Sequence, residues 1–177
     1  VNQLRLSFSD AHIMVGNVST VDGFVRLAEA GADSVRVGIG GGSACTTRLV
    51  SGHGVPTLQS IINIAERNYT DCSIIADGGI RNSGDMVKAF AAGADGVMMG
   101  SMFNKCVESS GQKLFENSRQ KINNEKAKTH YKTSGVLVKY RGMSTNEVQQ
   151  KERGDHKNYE EGLVKFNTVK YTIDELM

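Results

Sequence analysis

A glycine-rich stretch with one cysteine is the segment of this sequence best suited to chemistry. Residues 38–48 read Gly-Ile-Gly-Gly-Gly-Ser-Ala-Cys-Thr-Thr-Arg, so Cys45 lies between three consecutive glycines and a run of hydroxyl and cationic side chains. Glycines let backbone amides approach a ligand closely, and successive amides can form a concave anion site. A thiol in such a setting can shift towards the thiolate and become nucleophilic. An isolated cysteine is more often a small buried residue, but these neighbours favour a reactive thiol here.

Polar residues and glycines also follow two later apolar segments. Asp77-Gly78-Gly79 comes directly after residues 73–76, and Gly100-Ser101 comes after residues 96–99. A carboxylate at Asp77 can accept hydrogen bonds from both hydroxyls of a ribose, although a helix cap or a tight turn explains it equally well. The backbone amides of Gly78, Gly79 and Gly100, together with the Ser101 hydroxyl, can bind a phosphate.

These candidate residues require a framework of parallel strands to bring them together. Four short apolar segments alternate with amphipathic segments, which predicts an α/β fold with right-handed helical crossovers. The predicted strands are residues 12–18, 34–38, 73–76 and 96–99. The predicted helices are residues 20–30, 56–67 and 83–93. Ligands bind at the carboxyl ends of parallel strands, both in an open doubly wound sheet and in a (β/α)8 barrel, so either architecture fits.

The number of strand–helix units bears on that choice. Four units are half of a (β/α)8 barrel, which usually needs about 250 residues. A half-barrel would leave two unpaired edge strands and an exposed inner face. If the fold is a barrel, we expect either a partner or a longer chain to supply the missing units.

Composition and charge narrow the classes of function. The chain has 177 residues and a formal net charge of +2, which gives no case for a nucleic-acid partner. It has no apolar run of about 18 residues, so no membrane span is expected. Its three cysteines form neither a disulfide framework nor a zinc motif, which favours a reduced, cytoplasmic protein. The Lys-rich stretch 111–133 is interpreted as a solvated insertion or flap.

Five stretches of this sequence together resemble the IMP dehydrogenase/GMP reductase family. They occur in the family's order, at residues 16–18, 36–48, 75–80, 97–101 and 140–143. The cysteine loop is specific to the family, whereas Asp-Gly-Gly and Met-Gly-Ser occur in many phosphate-binding barrels. The resemblance implies a (β/α)8 TIM-type barrel, usually tetrameric. Residues 1–110 would then be its C-terminal half, and residues 111–177 a polar insertion, flap and terminal segment of the same domain.

The resemblance also implies the roles of individual residues at a purine nucleoside monophosphate site. Cys45 would attack purine C2, Thr47 would assist proton transfer, and Glu161 would recognise the purine ring and relay protons. Asp77 would hold the ribose. The implied phosphate contacts, with Gly78 added from the glycine pattern, are Ser43, Gly78, Gly79, Gly100, Ser101 and Tyr140. The implied contacts with the base are Gly142 and Met143.

A nicotinamide cofactor, NAD(H) or NADP(H), follows from the same resemblance. Gly38 and Gly40 would lie near the nicotinamide. In the dehydrogenases, backbone carbonyls of Gly40, Gly42 and Cys45 would also bind a potassium ion. Addition of a thiolate to C2 makes a tetrahedral carbon that can exchange hydride with such a cofactor.

Two directions of this chemistry are open. Residues 54–56, 99–101 and 141–143 look dehydrogenase-like. The segment between Met143 and Glu161 is short, as in reductases, and Gly154 follows Arg153 where dehydrogenases carry the tyrosine of a water-activating Arg-Tyr pair. These last features favour a GMP reductase that converts GMP and NADPH to IMP and ammonia. The alternatives are an IMP dehydrogenase that makes XMP, a non-catalytic purine-nucleotide binding half-barrel, and a flavin-dependent barrel oxidoreductase.

Overall fold

The computed structural model describes residues 1–142 and 163–177. These residues form two compact units. Unit 1 comprises Val1–Ser43 and Thr47–Met99, and unit 2 comprises Ala44–Thr46 together with the described residues from Gly100 to Met177. The membership of residues 1–110 and 111–177 in one barrel domain stays a prediction.

Unit 1 is built on a four-stranded parallel sheet, so the prediction of an α/β fold with parallel strands is confirmed. The strands, in their order across the sheet, are β1 (Met14–Val18), β2 (Ser34–Val37), β3 (Ser73–Asp77) and β4 (Gly96–Met98). The helices are α1 (Asn2–Ser7), α2 (Val21–Glu29), α3 (Thr47–Val50), α4 (Thr57–Ala65) and α5 (Ser83–Ala91). The sequence pattern predicted α2, α4 and α5 but neither α1 nor α3.

Local signals in the sequence explain where the helices begin and end. The Thr20 side chain accepts a hydrogen bond from the Gly23 N–H, and the Asn82 side chain accepts one from the Asp85 N–H, so both residues cap the helices that follow them. Pro56 was predicted in the first turn of α4 but is the residue immediately before it. Gly93 ends the α5 turn with a φ of +101°, a conformation that glycine adopts without strain.

The repeated phrase Ala-Gly-Ala-Asp has a specific structural role in both of its occurrences. The Asp33 carboxylate accepts a hydrogen bond from the Ile13 N–H at 2.6 Å, and the Asp95 carboxylate accepts one from the Ile74 N–H at 2.8 Å. The bond from Ile13 is the main cause of a lowered pKa at Asp33, and Arg5 adds to that effect. Each aspartate therefore ties the start of one strand to the loop before another.

Unit 2 is built on a four-stranded antiparallel sheet in the order β6-β5-β7-β8. Its elements are α6 (Ser101–Asn104), β5 (Lys113–Phe115), β6 (Lys121–Ile122), α7 (Asn124–His130), β7 (Val136–Arg141), β8 (Val164–Thr168) and α8 (Ile173–Leu176). The stretch 111–133, interpreted from sequence as a solvated insertion or flap, thus supplies two strands and a helix. The helix α7 packs onto this unit through Ala127, which is fully buried in one apolar cluster with Val107, Val136, Val138 and Val169.

The described helices are all too short or too polar to cross a membrane.

Candidate active site

In unit 1 the glycine-rich loop and the Asp-Gly-Gly turn approach each other backbone to backbone. Gly38 has a φ of +146°, and a Cβ at this position would collide with the Asp77 carbonyl oxygen. A Cβ at Gly78, whose φ is +93°, would lie 2.9 Å from the Gly42 nitrogen. One at Gly41 would lie 3.3 Å from the Gly78 backbone. The glycines that the sequence singled out are therefore needed for close packing, as well as for any ligand.

Arg48 fixes the rest of the cysteine loop within unit 1. Its guanidinium donates a hydrogen bond to the Val55 carbonyl at 3.0 Å. Added Cβ atoms at Gly40 and Gly54 would lie 2.8 and 2.7 Å from the Arg48 side chain, so both glycines make room for it. Ile39 and Val55 form an isolated antiparallel bridge. The Ile39–Val55 bridge thus joins the two ends of the loop, and the Arg48 side chain packs between them.

A polar network surrounds Asp77 at the carboxyl ends of three neighbouring strands. The Asn17 side-chain amide donates to the Asp77 carboxylate at 2.7 Å and to the Gly38 carbonyl at 3.0 Å. Arg36 donates to the Asn17 side-chain oxygen at 2.5 Å, and its Nε lies 3.5 Å from the same Asp77 oxygen. The Asp77 side chain remains 23% exposed. A ligand can therefore reach a carboxylate that its neighbours already hold in place.

The sequence pattern did not single out Asn17 and Arg36 as functional residues, although both lie in stretches that carried the family resemblance. Each lies in a predicted strand, as Asp77 lies directly after one. The position of a polar residue near the carboxyl end of a parallel strand is the signal that could have identified them.

Cys45 differs from the other two cysteines in its exposure. Its thiol belongs to a half-buried residue, whereas Cys72 and Cys106 are buried. Burial raises the pKa of the Cys72 and Cys106 thiols, which keeps both protonated at neutral pH. Of the three cysteines, Cys45 is the least buried.

Cys45 lies in the short segment Ala44–Thr46, which belongs to unit 2. The Ala44 carbonyl accepts a hydrogen bond from the Leu163 N–H at 2.8 Å, and Thr46 is buried. The residues on either side, Ser43 and Thr47, belong to unit 1. Ser43 is exposed and Thr47 is half-buried.

Unit 2 also contains a pocket of about 590 Å3 that Gly100 and Tyr140 help to line. A Cβ at Gly100 would lie 2.6 Å from the Tyr140 hydroxyl, so a larger residue there would have to displace the Tyr140 side chain. Lys165 lies on the neighbouring strand β8, with its ammonium 5.6 Å from the centre of the Tyr140 ring. Two of the predicted phosphate contacts are thus neighbours, and Ser101 begins α6 directly after Gly100.

Gly142 is a half-buried residue directly after β7. The predicted base contact Met143 and the predicted acid Glu161 lie outside the described residues, as do Arg153 and Gly154. Within residues 1–142 and 163–177, no group of three or more His, Cys, Asp or Glu side chains is placed to hold a metal ion. The predicted potassium ligands are backbone carbonyls, so that finding leaves the potassium site a prediction.

The family of the chain follows from a match along nearly all of its length. The model of the IMP dehydrogenase/GMP reductase domain matches residues 1–175. The chain belongs to the IMP dehydrogenase/GMP reductase family. The resemblance carried by the cysteine loop is therefore confirmed.

Individual members of the family show the same similarity. The chain is similar to inosine-5'-monophosphate dehydrogenase of Chlorobaculum parvum, with 40% identity over 178 aligned residues that cover 100% of the chain and 35% of the relative. The Aquifex aeolicus dehydrogenase is 48% identical over 121 residues, which cover 67% of the chain and 24% of the relative. The Escherichia coli dehydrogenase is 49% identical over 113 residues, which cover 63% of the chain and 23% of the relative. The chain thus matches about a third or less of each of these proteins.

Proposed function

We propose that this chain forms part of the catalytic domain of an IMP dehydrogenase, with Cys45 as the nucleophile. The reaction is IMP, NAD and water to XMP, NADH and a proton. The observation that carries the proposal is the half-buried Cys45 within the family's cysteine loop, in contrast to the buried Cys72 and Cys106.

The direction of the reaction rests on the relatives. The sequence features favoured GMP reductase, but the three relatives described above are all named inosine-5'-monophosphate dehydrogenase. Their names support the dehydrogenase alternative better than the reductase. The features that favoured a reductase, chiefly Gly154 after Arg153, lie outside the described residues.

The architecture that we propose is the C-terminal half of a (β/α)8 barrel over residues 1–110, with residues 111–177 as part of the same domain. In unit 1, β1 and β4 are the edge strands of the described sheet. Closure of a barrel requires further strands against both edges. A tetrameric assembly and bound potassium are also proposals taken from the family resemblance, and a cytoplasmic location is a proposal taken from the cysteine pattern.

In the proposed mechanism the Cys45 sulfur adds to C2 of IMP, which becomes tetrahedral. NAD, when bound, supplies the acceptor for the hydride that leaves C2. Water then adds at C2 and the bond to sulfur breaks, which releases XMP and restores the thiol. Thr47 and Glu161 would hold or transfer the protons that these steps move.

The remaining predicted residues hold the nucleotide in this proposal. Asp77, oriented by Asn17 and Arg36, would accept the ribose hydroxyls. The phosphate would contact Ser43, Gly78, Gly79, Gly100, Ser101 and Tyr140. The base would contact Gly142 and Met143.

The two residues proposed to contact the nicotinamide, Gly38 and Gly40, lie in the glycine-rich loop. Gly38 and Gly40 both have positive φ angles, and neither has room for a side chain. The space beside Gly38 and Gly40 is filled by the Asp77 carbonyl oxygen and the Arg48 side chain, so a nicotinamide would contact these two residues through their backbone.

Single-turnover hydride transfer tests the proposal. We expect Cys45→Ala to slow the appearance of NADH from IMP and NAD by roughly 10³-fold or more, because no other nucleophile can replace the thiolate. Cys72→Ala is the matched control, and it should keep the rate while it costs some stability. A Cys45→Ala protein with an unimpaired rate would reject the mechanism.

The same protein assayed with GMP and NADPH distinguishes the two directions. Release of ammonia with oxidation of NADPH would identify a reductase, and formation of XMP would identify a dehydrogenase. Tight IMP binding without either reaction in the unmodified protein would identify a non-catalytic nucleotide-binding module.

A further inference from the structure

The pocket in unit 2 extends well beyond the two residues that the proposed function uses. Besides Gly100 and Tyr140, its lining includes Asn104, Gln112, Lys139 and Arg141. Among the residues that the structure describes, the charged members of the lining, Lys139 and Arg141, are cationic, and none of the described lining residues is a carboxylate. Its volume of about 590 Å3 falls in the range of roughly 300–1,000 Å3 that is typical of ligand pockets, which is more than one phosphate group needs.

A buried lysine lies directly behind one wall of this pocket. Lys113 is 2% exposed, and its ammonium donates hydrogen bonds to the carbonyl oxygens of Ser109 and Gly111. Ser109 and Gly111 both line the pocket. The positive charge of Lys113 is therefore separated from the pocket by a single loop of backbone.

The charge of Lys113 has little compensation among the residues that the structure describes. None of their carboxylates lies within 4.0 Å of its ammonium. Glu108 is the nearby acid, but it accepts a hydrogen bond from the Ile173 N–H at 3.1 Å and lies 3.9 Å from the Lys128 ammonium. Desolvation lowers the pKa of Lys113, as expected for a charge buried without a close counter-ion. An anion in the adjacent pocket would offset that cost.

We propose that this pocket binds a diphosphate group, so that a nucleoside 5′-diphosphate occupies it with its second phosphate on the side of Lys113, Lys139 and Arg141. The first phosphate would take the position beside Gly100 and Tyr140. The proposal that the ligand carries a nucleoside rests on the proposed function. The proposal that the pocket binds an anion rests on the pocket lining and on the buried Lys113. Lysine and arginine are the side chains that bind phosphate oxygens most strongly.

Calorimetry on the purified protein tests the inference with three probes: IMP, inosine 5′-diphosphate and inorganic pyrophosphate. Lys113→Met removes the charge and keeps the length of the side chain. Ser110→Glu places a carboxylate at an exposed residue of the pocket lining, where folding tolerates it. Lys121→Met is the matched control, because Lys121 is an exposed lysine of the same unit that does not line the pocket.

We expect Lys113→Met and Ser110→Glu each to weaken the binding of inosine 5′-diphosphate and of pyrophosphate by about tenfold. Each should weaken the binding of IMP by less than about twofold. Lys121→Met should change none of the three. Thermal denaturation checks that each variant is folded. If Lys113→Met does not fold, Ser110→Glu still tests the inference.

The three probes separate this inference from the proposed function. Pyrophosphate binding that depends on Lys113 and Ser110, in a protein that does not bind IMP, would support the anion site and reject the nucleotide function. Binding of IMP with no measurable binding of either diphosphate would overturn the inference and leave the function standing. Equal losses in Lys121→Met would also overturn it, since they would indicate attraction by overall charge alone.

Discussion

The two units hold their candidate functional residues by different physical means. In unit 1 the positions are set by backbone packed on backbone, with Gly38 against Asp77 and Gly78 against Gly42. In unit 2 they are set by side chains, through a small apolar cluster around Val138 and a surface ion pair at Glu175. Unit 1 should therefore be intolerant of a side chain added where its loops pack backbone to backbone, whereas unit 2 should be sensitive to cavities in its apolar cluster and only weakly sensitive to changes of surface charge.

The largest effect is expected from Gly38→Ala in unit 1. The new Cβ would collide with the Asp77 carbonyl oxygen at a φ of +146°, so we expect a loss of about 2–4 kcal/mol in the free energy of unfolding. Gly52→Ala is the control, because Gly52 also has a positive φ of +68° but a Cβ added there would meet nothing within 4 Å. It should cost about 1 kcal/mol. Denaturant unfolding measures both, and equal losses would show that backbone packing does not distinguish the two positions.

The next largest effect is expected from Val138→Ala in unit 2. Val138 is fully buried in the apolar cluster, so loss of two methyl groups and the resulting cavity should cost about 2–3 kcal/mol. Val164→Ala, at a residue that is 46% exposed on β8, should cost well under 1 kcal/mol. Denaturant unfolding again provides the measurement. If Val138→Ala were as mild as its control, the cluster would not be what stabilises unit 2.

A smaller effect, on binding rather than stability, is expected from Asn17→Ala. This change removes the hydrogen bond from Asn17 to Asp77 and leaves the 3.5 Å contact with Arg36, so the carboxylate is held less firmly. We expect the Kd for IMP to rise about tenfold. Asn63→Ala, at an exposed residue of α4, is the control and should leave the Kd unchanged. Unchanged IMP binding in Asn17→Ala would remove Asp77 from the proposed ribose site.

The smallest effect is expected at the surface of unit 2, where Glu175 contacts Lys132 and Tyr131. Hydrogen bonds from Lys132, from the Thr172 N–H and from Tyr131 lower the pKa of Glu175 from 4.5 to about 2. A carboxyl group whose pKa is lowered by folding stabilises the protein above its unfolded pKa, and that contribution is lost as the pH falls through the folded pKa. The contribution of Glu175 should therefore be complete above about pH 4.5 and decline towards pH 2.

Glu175→Gln measures this contribution. The variant should be slightly less stable than the unmodified protein at pH 6, and the difference should shrink between pH 4.5 and 2. Glu66→Gln is the control, because Glu66 is an exposed carboxylate without an ion pair among the described residues. A difference that stays constant across this pH range would show that the charge of Glu175 is irrelevant to folding.

Local sequence signals predicted much of unit 1 and little of unit 2. The helices α2 and α5 could be predicted because the caps at Thr20 and Asn82 and the stop at Gly93 each depend on neighbours a few residues away. The strands β5 and β6 lie in a polar stretch without a clear alternation of apolar residues. Their sheet forms because β7 and β8 pair with it from more distant parts of the chain. No local sequence pattern predicts the pairing of strands that are distant along the chain.

The amino-acid sequence alone determined the family, the cysteine loop and the succession of strand–helix units, since these depend on residue types at fixed local spacing. Only the tertiary structure decided which residues orient Asp77, that Lys113 is buried behind a pocket, and that Cys45 is the cysteine left accessible. Asn17 and Asp77 are 60 positions apart, and they meet because parallel strands place their carboxyl ends at one edge of a sheet. Contacts of that range depend on how the whole chain packs, so they cannot be inferred from spacing.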